Sequence, residues 1–166
     1  MTSNDDALIR TPFGAVAIAV HNGQLAIELL VAEPGDAIQA VKHSPNPLVA
    51  DASRQVIAYL QNSSFSFGIP LSQHGTAFQQ RVWQAIAEIP VGQVRTYGQL
   101  AYQIGSGPRA VANACGANNL PLVVPCHRVV AQNGLGGFMQ GRQNGLLIKQ
   151  WLLRHEGVLI NGIARE

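Results

Sequence analysis

The sequence predicts an α+β protein in two parts: a small α/β unit over residues 1–75 and a mostly helical unit over residues 76–166. Three observations lead there. A chain of 166 residues is long enough for one good core or for two small ones. The apolar pattern changes from strand-like runs in the first half to helical stripes in the second. The charge changes sign as well: residues 1–75 carry Arg10, Lys42 and Arg54 against six acids, net −3, whereas residues 76–160 carry seven basic side chains against Glu88 and Glu156, net +5. Six of those seven are arginine, the better phosphate binder, so the second half invites an anionic partner. A plain solvated basic surface has the same composition.

Each element follows from its own residues. Val16 to Val20 and Gln24 to Val31 are β-branched or apolar runs separated by His21-Asn22-Gly23, which predicts a hairpin. Ala32 to Pro47, with three prolines and Gly35, reads as loop. Apolar residues at 48, 49, 52, 56, 57 and 60 predict a helix ending near Asn62, and Phe65 to Leu71 reads as a short strand before the linker Ser72 to Gly75. Thr76 caps a helix whose stripe is Phe78, Val82, Trp83, Ile86 and Ile89, with Pro90 as its stop. Thr96 caps a second helix running through Ile104. After Gly105-Ser106-Gly107-Pro108 a third runs from about Arg109 to Ala117, with Pro108 suited to a first helical position.

Two short helices joined by a glycine-containing turn make a candidate helix-turn-helix, although an αα-corner in an ordinary core has the same outline. The third helix is almost all small side chains after Arg109. That composition suits tight helix packing, and it equally suits approach to a narrow nucleic-acid groove with Arg109 projecting into it.

Composition excludes several classes. With 47% apolar and 12% charged residues the chain is not disordered. Apolar runs such as the six residues Leu120 to Pro125 fall far short of a bilayer span. Met1 to Asp6 is polar and acidic, without the apolar region of a signal peptide, and two cysteines make no disulfide scaffold. The expectation is a soluble cytoplasmic protein with free thiols.

Chemistry concentrates in Leu120 to Val130, where two apolar runs flank Cys126-His127-Arg128. Such polar groups are costly to bury unless they have partners or a task. The thiolate is the strongest side-chain nucleophile, a neighbouring imidazole or guanidinium favours it, and Pro121 and Pro125 stiffen the backbone around it. Adjacent Cys and His is poor metal-ligand spacing. Cys115, with no histidine beside it, reads as a small buried apolar filler.

Pro125-Cys126-His127-Arg128-Val129 resembles the active-site signature of the O6-alkylguanine-DNA alkyltransferases, also called methylated-DNA–protein-cysteine methyltransferases. The resemblance continues, in the family's order, through Phe78 to Trp83, Pro90-Val91-Gly92, Thr96 to Ala101, Arg109-Ala110-Val111, Asn118 and Trp151 to Gly157, covering roughly residues 76–158. It implies a ribonuclease-H-like α/β domain over 1–75 and a winged-helix-like domain over 76–166. It also implies direct-reversal repair, in which one alkyl group passes irreversibly from O6 of guanine to Cys126, with O4 of thymine a second candidate donor. The target base would be flipped from the minor groove; a base inside a duplex cannot present O6 to a buried thiol.

By the same resemblance His127 is the base acting through a water, Glu156 orients it and Asn118 braces the turn. A bland reading of Glu156, a helix-end charge paired with Arg128 or Arg154, stays open. Tyr97 sits against the flipped nucleotide, Arg109 fills the hole in the stack, and Thr96, Gly98 and Ala110 join them on the DNA. The backbone of Val129, with Pro121 and Phe138, forms the substrate pocket. No cofactor is implied. No cysteine precedes residue 115, so the structural zinc of some relatives is not expected. The expected partner is double-stranded DNA carrying O6-alkylguanine, met by a monomer, with cooperative assembly on DNA left open and no membrane role.

Departures from the family pattern are a turn before Arg109 about two residues shorter, Asn118-Asn119 in place of Asn-Pro, and a loop Gly134 to Gly141 about one residue shorter with Phe138 where tyrosine is common. They bear on the alkyl pocket and the finger's reach. Two other classes compete: a lesion-recognising DNA-binding protein without transfer, and a Cys-His-Glu hydrolase that turns over repeatedly.

Overall fold

A computed structural model describes residues 6–33, 35–138 and 145–159. The readings made for Met1 to Asp5, Arg142 and the loop end Met139-Gln140-Gly141 lie outside those residues. The fold is mixed α/β, a small antiparallel sheet with helices, and it divides into two compact units, one ending at Gln73 and the other starting at His74.

In the first unit β1 (Ala7–Thr11), β2 (Gly14–His21), β3 (Gln24–Leu30) and β4 (Gln39–Lys42) form one sheet in the order β3-β2-β1-β4. The β2–β3 hairpin turns on Asn22 and Gly23, whose φ of 52° and 77° are the pair of left-handed conformations that a two-residue turn between twisted strands requires. Register puts Ala7 opposite Ile18, Ile9 opposite Val16 and Ile27 opposite Ile18, so these buried residues share one face. Helix α1 (Pro47–Gln61) carries a buried stripe of Val49, Ala52, Val56, Tyr59 and Leu60, and Asn46 caps it by accepting from the Leu48 and Val49 N–H groups.

Two expectations are corrected. Residues 39–42, read as loop, form edge strand β4 beside β1. Residues 65–71, read as a strand, join no ladder. Their alternation comes from packing on α1: the Phe67 ring lies 5.5 Å from that of Tyr59, and the Gly68 N–H donates to Gln55 Oε1 at 2.8 Å.

In the second unit α2 (Ala77–Ala87), α3 (Tyr97–Ile104) and α4 (Pro108–Gly116) lie close to the predicted bounds. Thr76 and Gln79 make a reciprocal capping box on α2, and Thr96 and Gln99 repeat it on α3. Gly105 ends α3 in the left-handed conformation at φ 72°, and Pro108 occupies the first turn of α4. Trp83 Nε1 donates to the Ala114 carbonyl at 2.8 Å, fixing α2 to α4. Two-residue strands β5 (Arg95–Thr96) and β6 (Val129–Val130) pair in parallel, which sets the start of α3 against the Cys126 turn. Helix α5 (Gly145–His155) buries Ile148, Leu152 and Leu153. Among the described residues no helix is long and apolar enough to cross a membrane.

Candidate active site

The thiol is presented by a tight chain reversal between α4 and β6. Asn118 organises it: its Oδ1 accepts from the Leu120 N–H at 2.9 Å, and its Nδ2 donates to the Val124 carbonyl at 2.9 Å and to Cys126 Sγ at 3.3 Å. Leu122 is held at φ 77°, a conformation that costs a branched side chain about 1–3 kcal/mol and persists only where its surroundings over-determine it. Pro125, at φ −80° and ψ 70°, centres an inverse γ-turn closed by the Cys126 N–H on the Val124 carbonyl at 2.8 Å. A single 3-10 turn, Cys126–Arg128, then leads into β6.

The two residues after Cys126 enter a buried ionic network. His127 Nε2 meets Glu156 Oε2 at 2.8 Å, with side-chain exposures of 1% and 0%. Arg128 grips the same carboxylate with two prongs, Nε to Oε1 at 2.8 Å and Nη2 to Oε2 at 2.9 Å, and its Nη1 donates to the Ile89 carbonyl at 2.6 Å. A carboxylate so held accepts from Nε2–H, which leaves the lone pair of His127 on Nδ1. That atom is buried and has no hydrogen-bond partner among the described residues. Burial, above all, holds the His127 pKa below its ordinary value, opposed by Glu156, so the ring is a neutral imidazole at pH 7. Glu156 is thus bonded to both Arg128 and His127.

The thiol of Cys126 is pulled below its ordinary pKa. The Cys115 thiol hydrogen-bonds to it, and the Asn118 amide and the Lys149 charge add to the effect against the opposing penalty of burial. Cys126 Sγ also lies 3.9 Å from the Cys115 carbonyl oxygen, a contact it can donate to only while protonated. Cys115 shifts the other way, upward, through its bond to Cys126 and through burial, and remains a thiol. The reading of Cys115 as buried apolar filler is corrected here: it is half-buried and faces the acceptor sulfur, a placement that comes from the last turn of α4 meeting the 118–126 turn.

Tyr97, at the first turn of α3, donates its hydroxyl to the Gly137 carbonyl at 3.3 Å, and burial keeps the phenol protonated. Gly136 makes this possible. It sits at φ 75°, and a Cβ there would come within 2.8 Å of the Tyr97 ring. Lys149 was not foreseen. It is fully buried, and its ammonium donates to the carbonyls of Val129 at 2.7 Å, Leu135 at 2.5 Å and Gly137 at 2.9 Å. The available signal is its spacing, three and four residues before Leu152 and Leu153, which puts it on the buried stripe of α5.

The structure thus brings Cys126, His127, Glu156 and Asn118 together, with Tyr97 and buried Phe138 around Lys149. Val129 is buried in β6 and Pro121 half-buried in the turn. Arg109 and Gly98 are exposed on α4 and α3, Ala110 is half-exposed, and Thr96 serves as the cap of α3. Among the described residues no group of three His, Cys, Asp or Glu is placed to hold a metal ion.

A family model for the DNA-binding domain of 6-O-methylguanine DNA methyltransferase matches residues 77–158. The constitutive methylated-DNA–protein-cysteine methyltransferase of Bacillus subtilis is 37% identical over 155 residues, covering 89% of this chain and 92% of that protein. This chain belongs to the methylated-DNA–protein-cysteine methyltransferase family. A second member, from Methanosarcina acetivorans, is 45% identical over 109 residues, 64% of this chain and 68% of its own length. Among solved structures, Mycobacterium tuberculosis OGT in complex with DNA superposes with a TM-score of 0.72 at 33% identity, covering 96% of this chain and 95% of that one. The family relation extends into the first unit as well, where only length and pattern carried the resemblance.

Proposed function

We propose that this chain repairs alkylated duplex DNA by moving one methyl or small alkyl group from O6 of guanine, with O4 of thymine a second donor, onto Cys126. The observation that carries the proposal is a Cys126 thiol bonded by the Asn118 amide and followed directly in the chain by His127 and Arg128, which are bound together through buried Glu156. The relatives' names supply the substrate class.

In this reading the Cys126 proton passes through a water to His127 Nδ1, the nitrogen without a partner among the described residues. Glu156 fixes the ring and stabilises the imidazolium that forms. The thiolate attacks the alkyl carbon in line, a C–S bond forms as the C–O bond breaks, and the electron pair leaves on the guanine oxygen. Tyr97, kept protonated, exchanges its bond to Gly137 for one to the departing base. The thioether has no hydrolytic exit, so each chain reacts once and needs no cofactor.

The α3–α4 pair acts as a helix-turn-helix of winged-helix type, entering the minor groove on its small-residue face. Arg109, Ala110, Thr96 and Gly98 contact the DNA, and Arg109 fills the place of the flipped base. Val129, Pro121 and Phe138 line the alkyl pocket. Residues 1–75, as a ribonuclease-H-like domain, support the DNA-binding and acceptor domain at 76–166. The protein works as a cytoplasmic monomer on DNA.

The test is intact-protein mass spectrometry after mixing with an oligonucleotide bearing O6-methylguanine. A gain of about 14 Da, mapped to Cys126 and saturating at one per chain, is expected for transfer of a methyl in place of a proton. DNA binding without a gain would overturn transfer in favour of lesion recognition, and repeated turnover without DNA would indicate a hydrolase.

A further inference from the structure

We infer that Asn113 is a specificity-determining residue: from the face of α4 that carries Arg109, its amide reads the minor-groove edge of a base pair flanking the lesion and favours guanine there. The inference rests on the proposed entry of α4 into the minor groove.

Nothing in the fold accounts for Asn113. It lies inside α4, five residues after Pro108 opens the helix and four before the Ala117 cap. Asparagine is a weaker helix former than alanine, because its side chain competes for nearby backbone groups. Alanine stands at 110, 112 and 114 of the same helix. The Asn113 side chain is exposed and bonds to none of the described residues, so it neither packs nor caps. A residue that breaks the local rule without a structural return belongs to a functional surface.

Its placement says which surface. Val111 and Ala114 bury the inward face of α4, whereas Arg109, Ala112 and Asn113 are exposed. Four residues bring Asn113 to within about 40° of Arg109 around the helix and about 6 Å further along it. That advance is under two base-pair steps of about 3.4 Å. With Arg109 in the place of the flipped base, the Asn113 amide therefore lies against the first or second pair to one side. Ala110, Ala112 and Gly116 beside it have no polar side-chain atom with which to read a base.

The chemistry of the amide then sets the preference. In the minor groove every base pair offers acceptors, and only guanine adds a donor, its 2-amino group. An asparagine amide matches both, with Nδ2 donating to guanine N3 and Oδ1 accepting from the guanine amine. Against an A·T pair Nδ2 keeps a bond while Oδ1 finds no donor. Arginine supplies donors alone, so Arg109 cannot make this distinction.

The test is single-turnover transfer from duplexes carrying O6-methylguanine, with guanine or inosine at the first or second pair on either side. Inosine still pairs with cytosine but lacks the 2-amino group. Wild type is compared with Asn113→Ala, the two matched by far-ultraviolet circular dichroism. We expect the guanine-to-inosine rate ratio to be about fivefold higher in the wild type than in the variant at one of these positions. Any loosening of the duplex by inosine is common to both proteins and cancels in that comparison. Equal ratios at every position overturn the inference, and a residue that merely supports the helix would give them. A flanking 7-deazaguanine changes only the major-groove edge and should leave the rates alone; an Asn113-dependent loss there would overturn minor-groove entry itself. Absence of transfer by the wild type from every duplex would overturn the alkyl-transfer reading instead.

Discussion

His127 and Glu156 meet at 2.8 Å with both side chains closed to solvent, and the same carboxylate receives two further bonds from Arg128. The carboxylate therefore ties both side chains together, and in the alkyl-transfer reading its removal must register in both stability and chemistry.

Glu156→Gln keeps the volume and removes the charge. Breaking a buried pair on one side leaves the partner uncompensated, typically at about 3–5 kcal/mol. The variant should lose about 3 kcal/mol in urea unfolding and transfer methyl at least about tenfold more slowly while folded. Unchanged transfer would assign Glu156 to the fold alone.

Acid should destabilise the protein through His127. Its pKa is lowered in the folded state, so below about pH 6.5 the unfolded chain binds a proton that the folded chain refuses. Stability is therefore full above that pH and falls as the pH drops through it. Urea midpoints at pH 7.5, 6 and 5 should decline more steeply in the wild type than in His127→Gln, which has no such group.

Gly136→Ala should damage the site from a distance. An alanine at φ 75° is strained by at least about 1 kcal/mol, and its Cβ would press on the Tyr97 ring. Thermal melting should show the loss. Transfer from O6-methylguanine DNA should slow, because the Gly137 carbonyl and Tyr97 both shift.

Arg109→Ala separates the two substrates. A finger that fills a base stack matters only when a stack is present, so repair of duplex DNA should fall far more than reaction with free O6-benzylguanine. Equal losses on both would place Arg109 in the reaction pocket. Phosphate contacts should also make binding of the wild type weaken steeply with salt.

Much of the second unit is legible because its signals are local. Thr76 and Thr96 announce helix starts, Gly105 and Pro108 bound the turn, and Cys126-His127-Arg128 is an expensive sequence to bury without a purpose. The first unit is less legible. Strands β1 and β4 are five and four residues long and owe their form to pairing with each other and with β2, which no local pattern records. Residues 65–71 mislead in the opposite sense, since an extended segment packed on a helix alternates like a strand. At the site, Lys149 and Cys115 escape because their partners are backbone carbonyls and a sulfur supplied by remote segments. The stack-filling role proposed for Arg109 comes from the family resemblance alone, since its exposed side chain has no local partner that would point to it.

The short parallel ladder of Arg95–Thr96 with Val129–Val130 has an engineering consequence. Arg95 and Thr96, the latter the cap of α3, are paired with the residues three and four places after Cys126, so the α3–α4 pair is not a removable module. A graft that exchanges α3 and α4 between family members must carry both β5 and β6 with it. A register slip of one residue in that ladder would turn Val129 and Val130 to the wrong faces and misaim the thiol by the length of a residue, about 3.3 Å.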